Sequence, residues 1–367
     1  MKFDRRLFLN FDWFLLLITI IIATIGVFNL YSATFAVKEP NGMPIYLKQL
    51  CWIIVGIFMM FLSFCVDHHL LERSAYPLFI VAFLLLILVI PLGKSISGSS
   101  RWLQLGGFSL QPSEFLKIAL ILALSKYFNK YHGYSLGAIR AFLIPFLILA
   151  FPVFLVLVQP DLGTALIIVL IFLSLLLFNG MKMKNILIMF SVFLAGFPLF
   201  WHYLKNYQKM RLLTFINPDL DPLGSGYHII QSKIAIGSGA FWGKGFLKGT
   251  QSQLLFLPEQ HTDFVFSVFA EEWGFAGALI VVSLYLLVVL WGLRIATKAR
   301  EDFCTFLAFG IVSMFFWQIF INIGMSLGIM PVVGVPLPLM SYGGSSAVSF
   351  LLGIGILINI NTRRFLF

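Results

Sequence analysis

The sequence predicts an all-α integral membrane protein of about ten transmembrane helices, and three observations carry that prediction. Hydrophobic residues make up 60% of the 367, charged residues only 11%, and the mean hydropathy is +0.97. Soluble domains lie nearer roughly half and a quarter. The apolar residues, 41 Phe among them, gather in runs of about 20, the length at which a helix crosses a bilayer with its own backbone hydrogen bonds satisfied. No hydrophilic stretch is long enough for a separate soluble domain, so 1–367 reads as a single polytopic membrane domain.

Taken in order, the spans fall near 12–34, 46–66, 75–92, 112–129, 141–159, 162–180, 185–203, 264–292, 304–328 and 341–361. In the first, the apolar run 14–30 is too long for a signal-peptide h-region, and Ala33 has no cleavage context, so this segment reads as a retained helix. The fourth opens on Pro112, which suits the first helical turn. The fifth and sixth are separated by the break Gln159-Pro-Asp-Leu-Gly163. The last follows a Pro/Gly-rich turn, 330–344, whose Pro331, Pro336, Pro338 and Gly343-Gly344 suit either a re-entrant entry lining a cavity or a rigid turn.

Lys and Arg in short loops set the orientation. With the N-terminus inside, the cytoplasmic side holds Lys2, Arg5, Arg6, Arg73, Lys126, Lys130, Arg140, Lys182, Lys184, Arg294, Lys298, Arg300, Arg363 and Arg364. The short loops opposite hold only Lys38, Lys48, Lys94 and Arg101. Both termini are therefore expected to be cytoplasmic, with one long extracytoplasmic loop, 204–263, between the seventh and eighth spans. The net charge of +10 follows from this topology, since the basic residues are scattered rather than gathered on one face, and no nucleic-acid partner is expected. Cys51, Cys65 and Cys304 match no zinc or redox spacing and read as small buried hydrophobes.

Irregular chain collects on the extracytoplasmic face: the loops 93–111 and 204–263, the break at 159–163 and the turn at 330–344. Chemistry is expected there, and ionisable residues at membrane depth are the candidates. Gln111-Pro-Ser-Glu-Phe-Leu-Lys117 places Glu114 and Lys117 three apart on one helical face, either as a packing ion pair or as a cation held towards an anionic ligand. Gln111 and Ser113 share that helix start, and Arg101 lies just upstream; a helix N-terminus with two cations suits a phosphate. Asp161 is either a plain N-cap or a polar group of the same site.

The richest stretch is Gly249-Thr-Gln-Ser-Gln-Leu-Leu-Phe-Leu-Pro-Glu-Gln-His-Thr-Asp263. It sets Glu259, His261 and Asp263 at the membrane surface, with Glu271 and Glu272 following in the eighth span. One carboxylate there can serve as general base towards a sugar hydroxyl. Against that stand helix capping by Asp263 and an ordinary interfacial role for His261. The spacing matches no strong metal motif. The stretch 229–249, with Lys233, Lys244 and Lys248 among apolar residues, reads as an interfacial segment with basic heads near lipid headgroups or a pyrophosphate.

Across essentially its whole length the chain resembles the SEDS family (shape, elongation, division and sporulation). The matching blocks are Gln111-Pro-Ser-Glu-Phe-Leu-Lys, Gln159-Pro-Asp-Leu-Gly-Thr, Asp221-Pro-Leu-Gly-Ser-Gly-Tyr-His-Ile-Ile-Gln-Ser, Leu257-Pro-Glu-Gln-His-Thr-Asp-Phe and Pro336-Leu-Pro-Leu-Met-Ser-Tyr-Gly-Gly-Ser-Ser. Gln260 and Trp273 place it nearer the RodA branch than the FtsW branch. The resemblance implies a ten-helix fold in the bacterial cytoplasmic (inner) membrane and polymerisation of lipid II into glycan strands on its outer face, for cell elongation and rod shape. It implies Asp263 as the essential carboxylate, and Arg101, Glu114 and Lys117 as parts of a polar cavity. Glu259, His261, Asp161, Gln111 and Ser113 are further candidates for holding substrate or pyrophosphate. A divalent cation, Mg²⁺ or Mn²⁺, fits by resemblance and by charge, with Asp263 as its ligand. A class B penicillin-binding protein, other elongation-complex proteins and membrane lipids are the expected partners.

Two other readings stand beside this one. A flippase of lipid-linked precursor would also have many spans and Pro-broken helices, but the chain shows no internal repeat and its polar groups gather at one face rather than at the midplane. A non-catalytic scaffold for a transpeptidase would need no carboxylate at position 263.

Overall fold

The computed structural model describes residues 11–36, 43–96, 99–105, 108–131, 139–181, 206–217 and 224–364, with a few isolated positions between them. Its helices are α1 (Trp13–Thr34), α2 (Ile45–Cys65), α3 (His68–Leu92), α4 (Pro112–Tyr131), α5 (Ile139–Val158), α6 (Leu162–Phe178), α7 (Asn206–Ile216), α8 (Ser225–Ser238), α9 (Thr250–Gln253), α10 (Val265–Lys298), α11 (Asp302–Ser326) and α12 (Gly344–Arg363). Six of the described helices, α1, α2, α3, α10, α11 and α12, are long and apolar enough to cross a membrane. The expected span 185–203 lies outside the described residues apart from isolated positions, as do Lys2, Arg5, Arg6, Lys38 and Lys182.

Helix ends are fixed by side chains that the hydropathy pattern does not register. Asp12 caps α1, accepting from the Leu15 N–H at 3.1 Å. Its second oxygen accepts from Trp291 Nε1 at 2.7 Å and Asn361 Nδ2 at 2.6 Å, so one buried carboxylate joins α1, α10 and α12. Asp67 caps α3, which therefore starts at His68 rather than near 75; hydropathy locates the lipid-embedded part of a helix, whereas the cap sets its true start. The eighth span continues to Lys298 and carries a kink at Gly274, whose φ is +65°. That conformation favours glycine, and a Cβ there would meet the backbone of Gly243 and Phe241.

The all-α reading holds for the spans, with one addition. The loop 93–111 folds as a three-stranded antiparallel sheet, β1 (Lys94–Ile96), β2 (Ser99–Leu105) and β3 (Phe108–Leu110), in the order β1-β2-β3. Lys94 pairs with Trp102 and Leu103 with Leu110. In β2, Arg101, Leu103 and Leu105 project to one face and Trp102 and Gln104 to the other, a period-2 pattern too short to outweigh the surrounding helical signal.

α4 is buried on nearly all sides and forms the centre of the bundle. α12 is equally enclosed, and Gly56 and Gly355 let it approach α2 closely: a Cβ at either would enter Leu351 or the Met60 backbone. Segment 329–343, where the sequence leaves a re-entrant entry and a rigid turn open, is non-helical and packed inside the bundle, with Val335, Leu337, Leu339 and Met340 buried. Its backbone is satisfied by side chains: Asn322 Nδ2 donates to Val335 O at 2.7 Å and Tyr285 OH to Pro338 O at 2.5 Å. Irregular backbone survives in an apolar surrounding only with such partners.

Candidate active site

Where β2, the starts of α4 and α6, α7, the loop before α10 and the buried segment 329–343 converge, they enclose a cavity of about 380 Å³. Arg101, Gln111, Glu114, Glu259 and Asp263 line it, together with Trp102, Thr164, Arg211, Thr262, Tyr342 and Ser346. Residues far apart in sequence thus meet at one end of the bundle.

Asp263 sits one residue before Phe264, the N-cap of α10, where no side chain caps the helix. The carboxylate is therefore left to the cavity, and the capping role open in the sequence is not the one it has. Its backbone is held at both its N–H and its carbonyl, and the carbonyl of the preceding residue is held as well. The Asp263 N–H donates to Glu259 O at 3.1 Å, Asn322 Nδ2 donates to Asp263 O at 3.0 Å, and next door Ser341 Oγ donates to Thr262 O at 2.5 Å. Burial pushes the Asp263 carboxyl up to about 6, with Glu259 and Asp161 adding to the rise and the guanidiniums of Arg211 and Arg101 opposing it. Gly334, with φ +73°, passes against Asp263 Oδ2.

Arg101 reaches from β2 to the α5–α6 break. Nη1 lies 3.3 Å from Asp161 Oδ1, and Nη2 donates to the Pro160 carbonyl. Asp161 caps α6, accepting from the Thr164 N–H at 3.1 Å and the Thr164 hydroxyl at 2.9 Å, and Gln111 Nε2 donates to its Oδ2 at 3.2 Å. Asp161 thus combines the cap with membership of the polar cluster.

Glu114 stands on the cavity wall, but Lys117 lies behind it, fully buried, with Nζ 2.7 Å from Glu114 Oε1. Ser349 donates to the other oxygen at 3.0 Å. Ser113 is buried off the cavity, and half-buried His261 holds Tyr342 through its backbone carbonyl at 2.8 Å. Lys244, expected near headgroups or a pyrophosphate, instead pairs with the buried Glu271 at 2.7 Å.

The second cation at the cavity wall is Arg211 of α7, not singled out in the sequence because it lies in a long loop without a recognisable spacing. Tyr342 was also missed as an individual side chain, although it falls within the 336–346 block.

The donor set offers oxygen to a divalent cation through Asp263 and Glu259, hard ligands of the kind that Mg²⁺ and Mn²⁺ take. Among the described residues no third His, Cys or carboxylate joins them at ligand distance, so water and substrate oxygens would complete the shell. The Asp263 carboxyl is raised first by burial and then by the Glu259 charge, and a cation bound there would offset both.

A family model described as cell cycle protein, covering FtsW, RodA and SpoVE, matches residues 12–365. The peptidoglycan glycosyltransferase MrdB of Escherichia coli (strain K12) is 41% identical over 91% of this chain and 90% of its own length. The peptidoglycan glycosyltransferase RodA of Treponema pallidum (strain Nichols) is 34% identical over 97% and 98%. Among solved structures, one described as structural coordination of polymerization and crosslinking by a peptidoglycan synthase complex superimposes with a TM-score of 0.82 at 32% identity, covering 97% of this chain and 98% of that one. The rod shape determining protein RodA of Thermus thermophilus gives a TM-score of 0.72 at 29% identity over the same shares.

Proposed function

The chain belongs to the FtsW, RodA and SpoVE family of cell cycle proteins and is a peptidoglycan glycosyltransferase; on that premise we propose that it polymerises lipid II with Asp263 as its general base. The observation that carries the proposal is the cavity itself. A carboxylate with a raised pKa faces two guanidiniums across a space of about 380 Å³, which is a base and an anion cradle in one enclosure.

Asp263 takes the proton from the 4-hydroxyl of the acceptor sugar as that oxygen attacks the anomeric carbon of the donor. The bond from that carbon to the pyrophosphate breaks, and undecaprenyl pyrophosphate leaves with the electron pair. A single displacement by one base inverts the anomeric centre, as conversion of an α-linked donor into a β-1,4 product demands. Arg101 and Arg211 stabilise the charge growing on the departing pyrophosphate. Glu114, neutralised by Lys117 and held by Ser349, orients polar groups of the substrate, and the Asp161–Arg101 pair fixes the guanidinium. A divalent cation, when bound at Asp263 and Glu259, supplies further neutralisation of the pyrophosphate.

The proposed topology is ten spans with both termini cytoplasmic and the cavity on the outer face of the cytoplasmic membrane. Arg73, Lys126, Arg300 and Arg363 at the end of the bundle opposite the cavity support it. A class B penicillin-binding protein is the proposed partner, supported by the likeness to the synthase complex that coordinates polymerisation with crosslinking.

The test is glycan-strand synthesis from lipid II by purified protein with Mg²⁺ or Mn²⁺ and the transpeptidase partner. Polymer from wild type and none from a folded, partner-binding Asp263→Ala supports the assignment. Polymer from both removes Asp263 as base, and polymer from neither moves the chain towards precursor transport or scaffolding.

A further inference from the structure

At the end of the bundle opposite the cavity, His68, His69 and Glu301 bring one ligand atom each to within 4.8 Å of one another. His68 is the first residue of α3, and Glu301 lies in the turn between α10 and α11. His68 is buried, while His69 is exposed and Glu301 half-exposed, so the cluster is rooted in the protein and open on one side. Cys304 lines a small cavity of about 60 Å³ beside His68 and Glu301.

The orientation of the His68 ring is the second observation. Nε2 faces Glu301 Oε1 at 3.0 Å, while Nδ1 lies 3.2 Å from Asp67 Oδ1 on the other side. Asp67 is itself held by Arg363 Nη1 at 3.4 Å. Nε2 of this buried ring meets one carboxylate, and Nδ1 is buried beside a second without a hydrogen-bond partner, so the ring is enclosed by anionic groups of the kind that support a metal-bound imidazole.

We infer that His68, His69 and Glu301 form a binding site for a divalent transition metal, zinc by its donor set, at the end of the bundle remote from the catalytic cavity. Two imidazoles and a carboxylate are the borderline N/O ligands that Zn²⁺ takes, with a fourth position left for water. Zinc bonds of about 2.0–2.1 Å place tetrahedral ligand atoms roughly 3.4 Å apart, a contraction that rotation of the exposed His69 side chain supplies. Arg300, Arg363 and Arg364 stand nearby; Asp67 and Glu301 offset part of their charge, and the Arg363–Asp67 pair directs that guanidinium to the supporting carboxylate. A bound ion would tie the start of α3 to the α10–α11 turn.

The experiment uses the full-length chain without a histidine tag, in detergent or nanodiscs, stripped with chelator and titrated with Co²⁺ as a spectroscopic substitute for Zn²⁺. Wild type is expected to bind one equivalent with the visible absorption of tetrahedral Co²⁺, and Zn²⁺ is expected to bleach it. Asp263→Asn keeps the band, His69→Ala loses it, and Asp67→Asn weakens binding about 10–100-fold. Because His69 is exposed, its alanine variant folds, which circular dichroism checks. Absence of a tetrahedral band from wild type overturns the inference, as does a band of unchanged affinity in His69→Ala.

Discussion

Arg101 in the middle strand of the sheet and Asp161 at the start of α6 form an ion pair of 3.3 Å that closes one wall of the cavity. The guanidinium also donates to the Pro160 carbonyl, so a single side chain spans the break between two helices. The fork is the reason for arginine: a lysine is a point charge and cannot address both acceptors. Arg101→Lys is expected to lower polymerisation about tenfold, a loss of roughly 1.4 kcal/mol in transition-state stabilisation, while folding is preserved. Asp161→Asn keeps an N-cap acceptor and should destabilise less than Asp161→Ala, which loses the cap at about 1 kcal/mol in addition. Turnover at saturating lipid II and thermal unfolding separate the two effects. Identical unfolding of both Asp161 variants would remove the cap from the account.

The Asp263 carboxyl, raised from 3.8 to about 6, ties activity and stability to pH in opposite senses. Only the ionised form is a base, so kcat/KM should fall about tenfold per pH unit below 6 and level off above 7. For stability, the folded state holds the proton between about 4 and 6 while the unfolded chain has released it. The contribution is therefore full below the unfolded pKa, lost as pH rises through 6 and absent above. Asp263→Asn, which removes the buried charge, should abolish polymer formation. In metal-free buffer at pH 7.5 it should also raise stability by about 1 kcal/mol, a figure reduced from 1.36 kcal/mol per pH unit because the carboxylate opens onto the cavity. A flat activity profile between pH 5 and 7 would sink the base assignment.

The bundle was legible because lipid imposes a strong rule on sequence: runs of about 20 apolar residues are helices. Among the described spans α3, at its start, and α10, at its end, were misplaced by more than a few residues: the polar first turns of α3, from the Asp67 cap onward, and the last turns of α10, with Arg294 and Lys298, carry no hydropathy signal. The carboxylates of the cavity were legible for the complementary reason, that charge at membrane depth is rare. Pairing was legible only when local. Glu114 and Lys117 are three residues apart and could be joined from helical spacing, whereas Arg101–Asp161, Asn322–Asp263 and Asp12–Asn361 span the chain and leave no periodic trace. Arg211 was missed on the same ground. The sheet at 94–110 went unread because its alternating stretches are three to seven residues long.

Lys117 has no measurable exposure and its ammonium rests on Glu114 at 2.7 Å. Removing one partner leaves a buried charge uncompensated, which costs about 3–5 kcal/mol, whereas removing both with apolar groups of similar volume is nearly neutral. Glu114→Gln alone is expected to lower the melting temperature sharply and reduce expression. The double variant Glu114→Gln, Lys117→Met should recover most of that stability without recovering polymerisation, because the carboxylate on the cavity wall is still missing. Non-additive unfolding energies with persistent inactivity would establish both roles together. Additive losses would mean that the pair contributes no coupling.

Asn322 provides the last link, through its backbone contacts rather than through chemistry of its own. Its amide donates to Asp263 O at 3.0 Å and to Val335 O at 2.7 Å, joining the loop that carries the carboxylate to the segment that passes beneath it. Gly334, beside Val335, lies against Asp263 Oδ2, so movement of that segment moves the carboxylate's surroundings. Asn322→Leu keeps the volume but strands two buried carbonyls at about 1–3 kcal/mol each. It should lower kcat more than it raises KM, since ground-state contacts with lipid II are untouched while the base is displaced. Asn322→Asp offers no donor to either carbonyl and adds a charge beside them, so it should do worse than leucine, and Asn322→Gln should restore part of the rate. A KM effect alone, with kcat intact in all three variants, would show that Asn322 shapes the binding surface and leaves Asp263 where it is.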